Sequence, residues 1–115
     1  MTLWENATPH AAGYREADVQ SVSAQAGKIH LVDVREPNEF VGELGHAPGA
    51  ELVPLATIAV ASAAWDRAAE HVVVCRSGGR SGRAADLLVK AGFTRVVNVA
   101  GGMLAWNAAH LPTER

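Results

Sequence analysis

The chemistry of this chain is concentrated in Val72-Val-Val-Cys75-Arg76-Ser77-Gly78-Gly79-Arg80-Ser81, an apolar run that ends in the only cysteine and continues as a glycine-rich basic loop. A sulfur nucleophile works as the thiolate. Three features of the stretch favour that form: two nearby arginines, the backbone N–H groups of a Gly-rich turn, and the N-terminus of a helix that follows. Most free cysteines are small buried hydrophobes. That role explains neither the arginine pair nor the Gly-Gly step, whereas an anion-binding loop needs both, because only glycine lets backbone amides converge on one point.

Such a loop must be held by a scaffold, and 115 residues are enough for one domain with a real core. Apolar content of 49% and charged content of 19% are ordinary for a globular protein. A formal net charge of −2 gives no global attraction to nucleic acid or anionic membrane. The single cysteine excludes an intramolecular disulfide, a CxxC pair and a thiolate-rich zinc site. The five histidines show no i, i+4 pairing, so neither a metal nor a cofactor is implied. Met1-Thr-Leu-Trp-Glu5 lacks the basic and apolar regions of a signal peptide, and no apolar run reaches the ~20 residues of a membrane span. The expectation is a cytoplasmic protein with neither nucleic-acid nor membrane partners.

Residues 1–12, with Pro9, read as an irregular lead-in or a small edge strand. Asp18 is placed to cap a helix running to about Ala26, and Ile29–Val34 reads as a buried strand. Glu36-Pro37 opens a short helix to about Val41, and a turn at Gly45–Gly49 precedes a short strand Ala50–Val53. The spacing then predicts a helix from about Leu55 to Glu70, a strand Val72–Val74 and a helix Gly82–Ala91 stopped by Gly92. A strand Arg95–Val99, a Gly101-Gly102 turn and a helix Met103–Ala109 complete the pattern. Alternating strands and helices argue an α/β fold with a mostly parallel central sheet flanked by helices, whose sites lie beyond the carboxyl ends of strands. Asp33–Glu36 and Cys75–Arg80 both fall at such ends.

Four segments together, Leu31-Val-Asp33-Val-Arg35-Glu36-Pro-Asn-Glu39-Phe40, Gly45-His46-Ala-Pro48-Gly49-Ala50, Cys75-Arg-Ser-Gly-Gly-Arg80-Ser81 and Val99-Ala-Gly101-Gly102-Met103-Leu-Ala-Trp106, closely resemble the rhodanese family in its order and spacing. The resemblance covers about residues 13–112, which marks that span as a rhodanese domain with the three-layer fold of the family. It implies a thiosulfate sulfurtransferase in which Cys75 takes a sulfane sulfur, holds it as a persulfide and passes it to cyanide or a thiol acceptor, small or on a protein. Arg76 and Arg80 would hold the donor's oxygens, and the amides of Ser77, Gly78, Gly79, Arg80 and Ser81 would cradle the persulfide. Asp33 and Arg35 resemble the family's strand-end charged pair and take a supporting role, with Glu39 at the acidic position that follows. His46 lies in a turn that reads as structural, and Trp106 reads as core packing first.

Loop length separates this reading from its neighbours, the tyrosine and cell-cycle phosphatases, in which arginine follows the cysteine after five residues. Here that position is Ser81, and Arg80 follows Cys75 after only four. A persulfide carrier that serves a partner is the principal alternative, and arsenate reduction a weaker one, since the chain has no resolving thiol.

Overall fold

Six strands join edge to edge into a single sheet. The computed structural model describes all 115 residues. The strands are β1 (Thr8–Pro9), β2 (Arg15–Ala17), β3 (Leu31–Asp33), β4 (Glu51–Leu52), β5 (Glu70–Val74) and β6 (Arg95–Val99). Their order across the sheet is β1-β2-β6-β5-β3-β4, parallel throughout except for the antiparallel edge pair β1/β2. β5 lies inside, between β6 and β3, and its residues His71–Val74 are all buried. A strand covered on both faces needs this kind of continuous β-branched run.

The helices are α1 (Leu3–Asn6), α2 (Val19–Ala24), α3 (Pro37–Phe40), α4 (Ile58–Ser62), α5 (Gly79–Lys90) and α6 (Gly102–Ala108). Because side chains alternate along a strand, β5 feeds two cores. Val72 and Val74 join Leu3, Val22, Val97, Met103 and Trp106 on one side. Val73 and Cys75 join Tyr14, Ile58, Ala84, Ala85, Leu88 and Phe93 on the other. The alternation therefore delivers Cys75 to the face covered by α5. No helix is long and apolar enough to cross a membrane.

The expected helix over Leu55–Glu70 is the largest difference between sequence and structure. Residues 55–57 form a 3-10 turn, α4 spans only Ile58–Ser62, and turns and bends carry the chain on to β5, which begins at Glu70. Polar side chains there bond the local backbone instead of leaving it to a helix: Ser62 Oγ donates to the Ala59 carbonyl at 3.3 Å, and Asp66 Oδ1 accepts from the Ala68 N–H at 2.9 Å. At the other end of the chain, residues 1–12 hold the edge strand β1 and also α1, capped by a reciprocal Thr2–Glu5 box. Asp18 caps α2 as expected, its Oδ1 accepting from Ser21 N–H at 2.7 Å. α5 starts at Gly79, three positions ahead of the expected Gly82, so the helix begins inside the glycine loop.

Candidate active site

β5 ends in Cys75, which is 1% exposed. The chain then turns through Arg76 and Ser77 to Gly78, whose φ of 110° is left-handed and forms the N-cap of α5. Glycine adopts that conformation at no steric cost. The turn folds the first amides of the helix back over the sulfur. Gly78 N–H donates to Cys75 Sγ at 3.1 Å, and Ser81 Oγ lies 3.3 Å from the same sulfur. Ser81 Oγ is also 3.3 Å from the Gly78 carbonyl, so its single proton serves the sulfur when that sulfur is anionic. Burial, the largest influence on this thiol, raises its pKa. The Ser81 hydroxyl and the amides of Ser81, Gly78 and Ser77 together outweigh burial, and the net shift is downward.

The loop is braced from behind. The N-terminus of α6 reaches it through two backbone bonds, Met103 N–H to the Cys75 carbonyl at 2.8 Å and Leu104 N–H to the Arg76 carbonyl at 3.0 Å. Gly102 permits the approach: at φ 56° a β-carbon there would overlap the Cys75 carbonyl oxygen and stand 2.6 Å from the Arg76 carbonyl carbon. Asn98 of β6 donates from Nδ2 to the Gly78 carbonyl at 3.4 Å.

The arginines divide into three roles. Arg80 is gripped by Glu39 of α3, its two terminal nitrogens donating to the two carboxylate oxygens at 2.6 and 2.8 Å. The Arg80 bond holds the Glu39 carboxyl down at about 2 against its usual 4.5. Arg35 is buried and donates to Asp33 from Nε at 3.0 Å and from Nη2 at 2.8 Å, with Nη2 also reaching the Gly45 carbonyl at 2.7 Å. The Asp33–Arg35 pair thus ties the end of β3 to the Gly45–Gly49 turn. Arg76, unlike Arg80 and Arg35, is exposed and makes no ion pair. It opens, with Arg35, Glu39, Leu44 and Leu104, onto a cavity of about 470 Å³.

His46 serves the same turn. Its Nδ1 donates to the Phe40 carbonyl at 2.8 Å, and its ring stacks on Phe40 at 3.6 Å. Trp106 is fully buried and donates from Nε1 to the Pro112 carbonyl at 2.8 Å. Cys75, Ser77, Gly78 and Ser81 therefore meet at one atom, Gly79 and Arg80 form the first turn of α5 beside it, and Asp33 and Arg35 stand behind. Sequence reasoning placed neither Asn98 nor the contact of Gly102 with the loop. The Gly-Gly dipeptide was a signal for the second, whereas Asn98 sits in an apolar strand with no motif around it. No group of three or more His, Cys, Asp or Glu side chains is arranged to hold a metal ion.

Residues 17–109 match the model of the rhodanese-like domain. The chain is 35% identical over 100 residues to a sulfurtransferase of Allochromatium vinosum, an alignment covering 84% of this chain and 92% of that one. It is 36% identical over 82 residues to the thiosulfate sulfurtransferase GlpE of Pseudoalteromonas translucida, covering 71% and 76% of the two chains. Another curated relative is longer, and the chain spans about half of it, 49% of its length. Among solved structures, a rhodanese-like domain protein from Staphylococcus aureus superposes with a TM-score of 0.73 at 27% identity, over 87% of this chain and 98% of that one.

Proposed function

The chain belongs to the rhodanese-like domain family, and we propose that its sulfur transfer runs from thiosulfate or a related anionic donor, through a persulfide on Cys75, to cyanide or a thiol. One observation carries this reading: Cys75 Sγ sits inside the first turn of α5 with the Gly78 N–H and the Ser81 hydroxyl directed at it. That arrangement lowers the thiol's pKa and offers donors to whatever anion replaces the thiolate.

In the first half-reaction the Cys75 thiolate attacks the outer sulfur of thiosulfate. The new Cys75 S–S bond forms as the donor's S–S bond breaks, and the electron pair leaves on sulfite. The product is a persulfide anion on a loop already shaped for negative charge. In the second half-reaction an acceptor attacks the outer sulfur, and the pair returns to Cys75 as thiolate. Charge balances in each step, and no oxidant is consumed. A Cys-x4-Arg loop supports sulfur over phosphate, since its amides close on one atom and not on a tetrahedron of oxygens. The GlpE relative named above supports thiosulfate as donor.

The test is thiocyanate production from thiosulfate and cyanide by the wild type and by Cys75→Ser. Turnover by the wild type and none by the variant supports the reading. A sulfur carrier would load once and release sulfur only to its partner, so stoichiometric loading without cyanide turnover would favour that second role.

A further inference from the structure

Beside the sulfur loop runs a second groove, which the chemistry of Cys75 leaves unexplained. Strand pairing sets Glu16 of β2 against Asn98 of β6. Glu16 Oε2 and Asn98 Oδ1 are both buried with no hydrogen-bond partner, and Asn98 as a residue is only 3% exposed. A buried acceptor without a donor is costly, and two on adjacent strands mark a place where donors belong. The Asn98 Nδ2 is already committed to the Gly78 carbonyl.

These two residues, with Tyr14, Arg83 and the loop glycines Gly78 and Gly79, line a groove of about 440 Å³. That is within the roughly 300–1,000 Å³ typical of small-ligand sites. Its charges are separated. The Tyr14 phenol is held above its usual pKa, by burial first and then by the negative charges of Glu16 and Asp86. Asp86 is engaged by Lys90 at 2.9 Å, which leaves Glu16 as the uncommitted anion. Arg83 makes no ion pair and supplies the positive end.

We propose that this groove is the subsite for the sulfur acceptor, and that it takes a small zwitterionic thiol of the amino-acid type. The ammonium sits on Glu16 and Asn98 Oδ1, and the carboxylate on Arg83. The inference rests on the persulfide reading above. Gly78 and Gly79 belong both to the groove and to the sulfur loop: Gly78 N–H bonds Cys75 Sγ directly, and a β-carbon on Gly79 would meet nothing within 4 Å. Neither glycine carries a side chain that would obstruct a thiol held in the groove. The acceptor thiol releases its proton to water and attacks the outer persulfide sulfur. An acceptor–sulfur bond forms, the Cys75 S–S bond breaks, and its electron pair returns to Cys75.

Two arms test this. In the first, sulfur-loaded protein is mixed with cysteine, cysteamine, 3-mercaptopropionate, 2-mercaptoethanol or cyanide, and rates are corrected for thiolate fraction. Cysteine is expected to exceed 2-mercaptoethanol by about tenfold, the scale of one or two charge-assisted hydrogen bonds. Glu16→Gln should lower the ratio of cysteine and cysteamine transfer to cyanide transfer, and Arg83→Gln the corresponding ratios for cysteine and 3-mercaptopropionate. Equal corrected rates for all thiols, or variants that slow every acceptor and cyanide alike, would overturn the subsite. In the second arm S-methylcysteine, which cannot accept sulfur, is titrated into unloaded protein by NMR. Shifts at Glu16, Asn98 and Arg83 that weaken in Glu16→Gln support the groove, and no shifts there refute it. Failure to load wild type with sulfur would count against the persulfide reading alone, since the titration needs no loading.

Discussion

Glu39 and Arg80 form a two-pronged ion pair, at 2.6 and 2.8 Å, that fastens α3 to the first turn of α5. One of the two arginines expected from sequence to meet the donor anion is thereby already engaged, while the other, Arg76, faces the cavity with its charge free.

The two arginines should therefore separate in kinetics. Arg76→Ala is expected to raise KM for thiosulfate by about threefold to tenfold with little effect on a neutral sulfur donor, the loss of one charge-assisted contact. Arg80→Ala should slow transfer from both donors by similar factors, and Arg80→Ala combined with Glu39→Gln should be no worse than either alone. Steady-state kinetics of the three variants check this. A thiosulfate-specific loss in Arg80→Ala would return Arg80 to the substrate.

The same pair fixes a pH dependence. The folded carboxyl of Glu39, at about 2, lies below its usual 4.5. Its stabilisation is thus fully present above pH ~4.5 and is lost as pH falls towards 2. Thermal unfolding of wild type and Glu39→Gln from pH 2 to 7 should show a wild-type advantage that shrinks to nothing at the acid end. An advantage that persists undiminished at pH 2 would show that the pair is not its source.

Thiolate formation at Cys75 should depend on Ser81. The hydroxyl and the loop amides hold the thiol below its ordinary value against burial. Ser81→Ala is therefore expected to move the pH midpoint of Cys75 alkylation by iodoacetamide upward, leaving the fold intact. An unmoved midpoint would assign the shift to the amides alone.

What was legible in the sequence follows from where the signals are local. Val72-Val-Val-Cys75 announces a strand delivering a cysteine because β-branching and burial act residue by residue, and Asp18 announces a helix start because its cap bond spans three positions. The bracing of the loop was less legible. Asn98 bonds Gly78 across 20 positions, and Glu39 bonds Arg80 across 41, distances over which no periodicity carries information. The failure over residues 55–70 has another cause: the alanines there suit a helix, and side-chain bonds at Ser62 and Asp66 compete with it. β2 was missed for its length, since three residues give no alternation to read.

Gly102 should be the least replaceable glycine of the site. Gly102→Ala would combine a left-handed backbone with overlap against the Cys75–Arg76 backbone, whereas Gly27, at φ 84°, has nothing within 4 Å of its would-be β-carbon. Denaturant unfolding is expected to show a loss of about 1 kcal/mol for Gly27→Ala from backbone strain alone, and more than ~3 kcal/mol for Gly102→Ala. Comparable losses would mean that the loop relaxes away from the α6 turn.

The central claim is that Cys75 holds the sulfur in transit. Intact mass spectrometry of the protein after exposure to thiosulfate tests it most directly. The expected result is a gain of one sulfur atom by the wild type, removed by cyanide and absent from Cys75→Ser. A wild type that gains no sulfur, or a Cys75→Ser protein that gains it equally, would contradict the account.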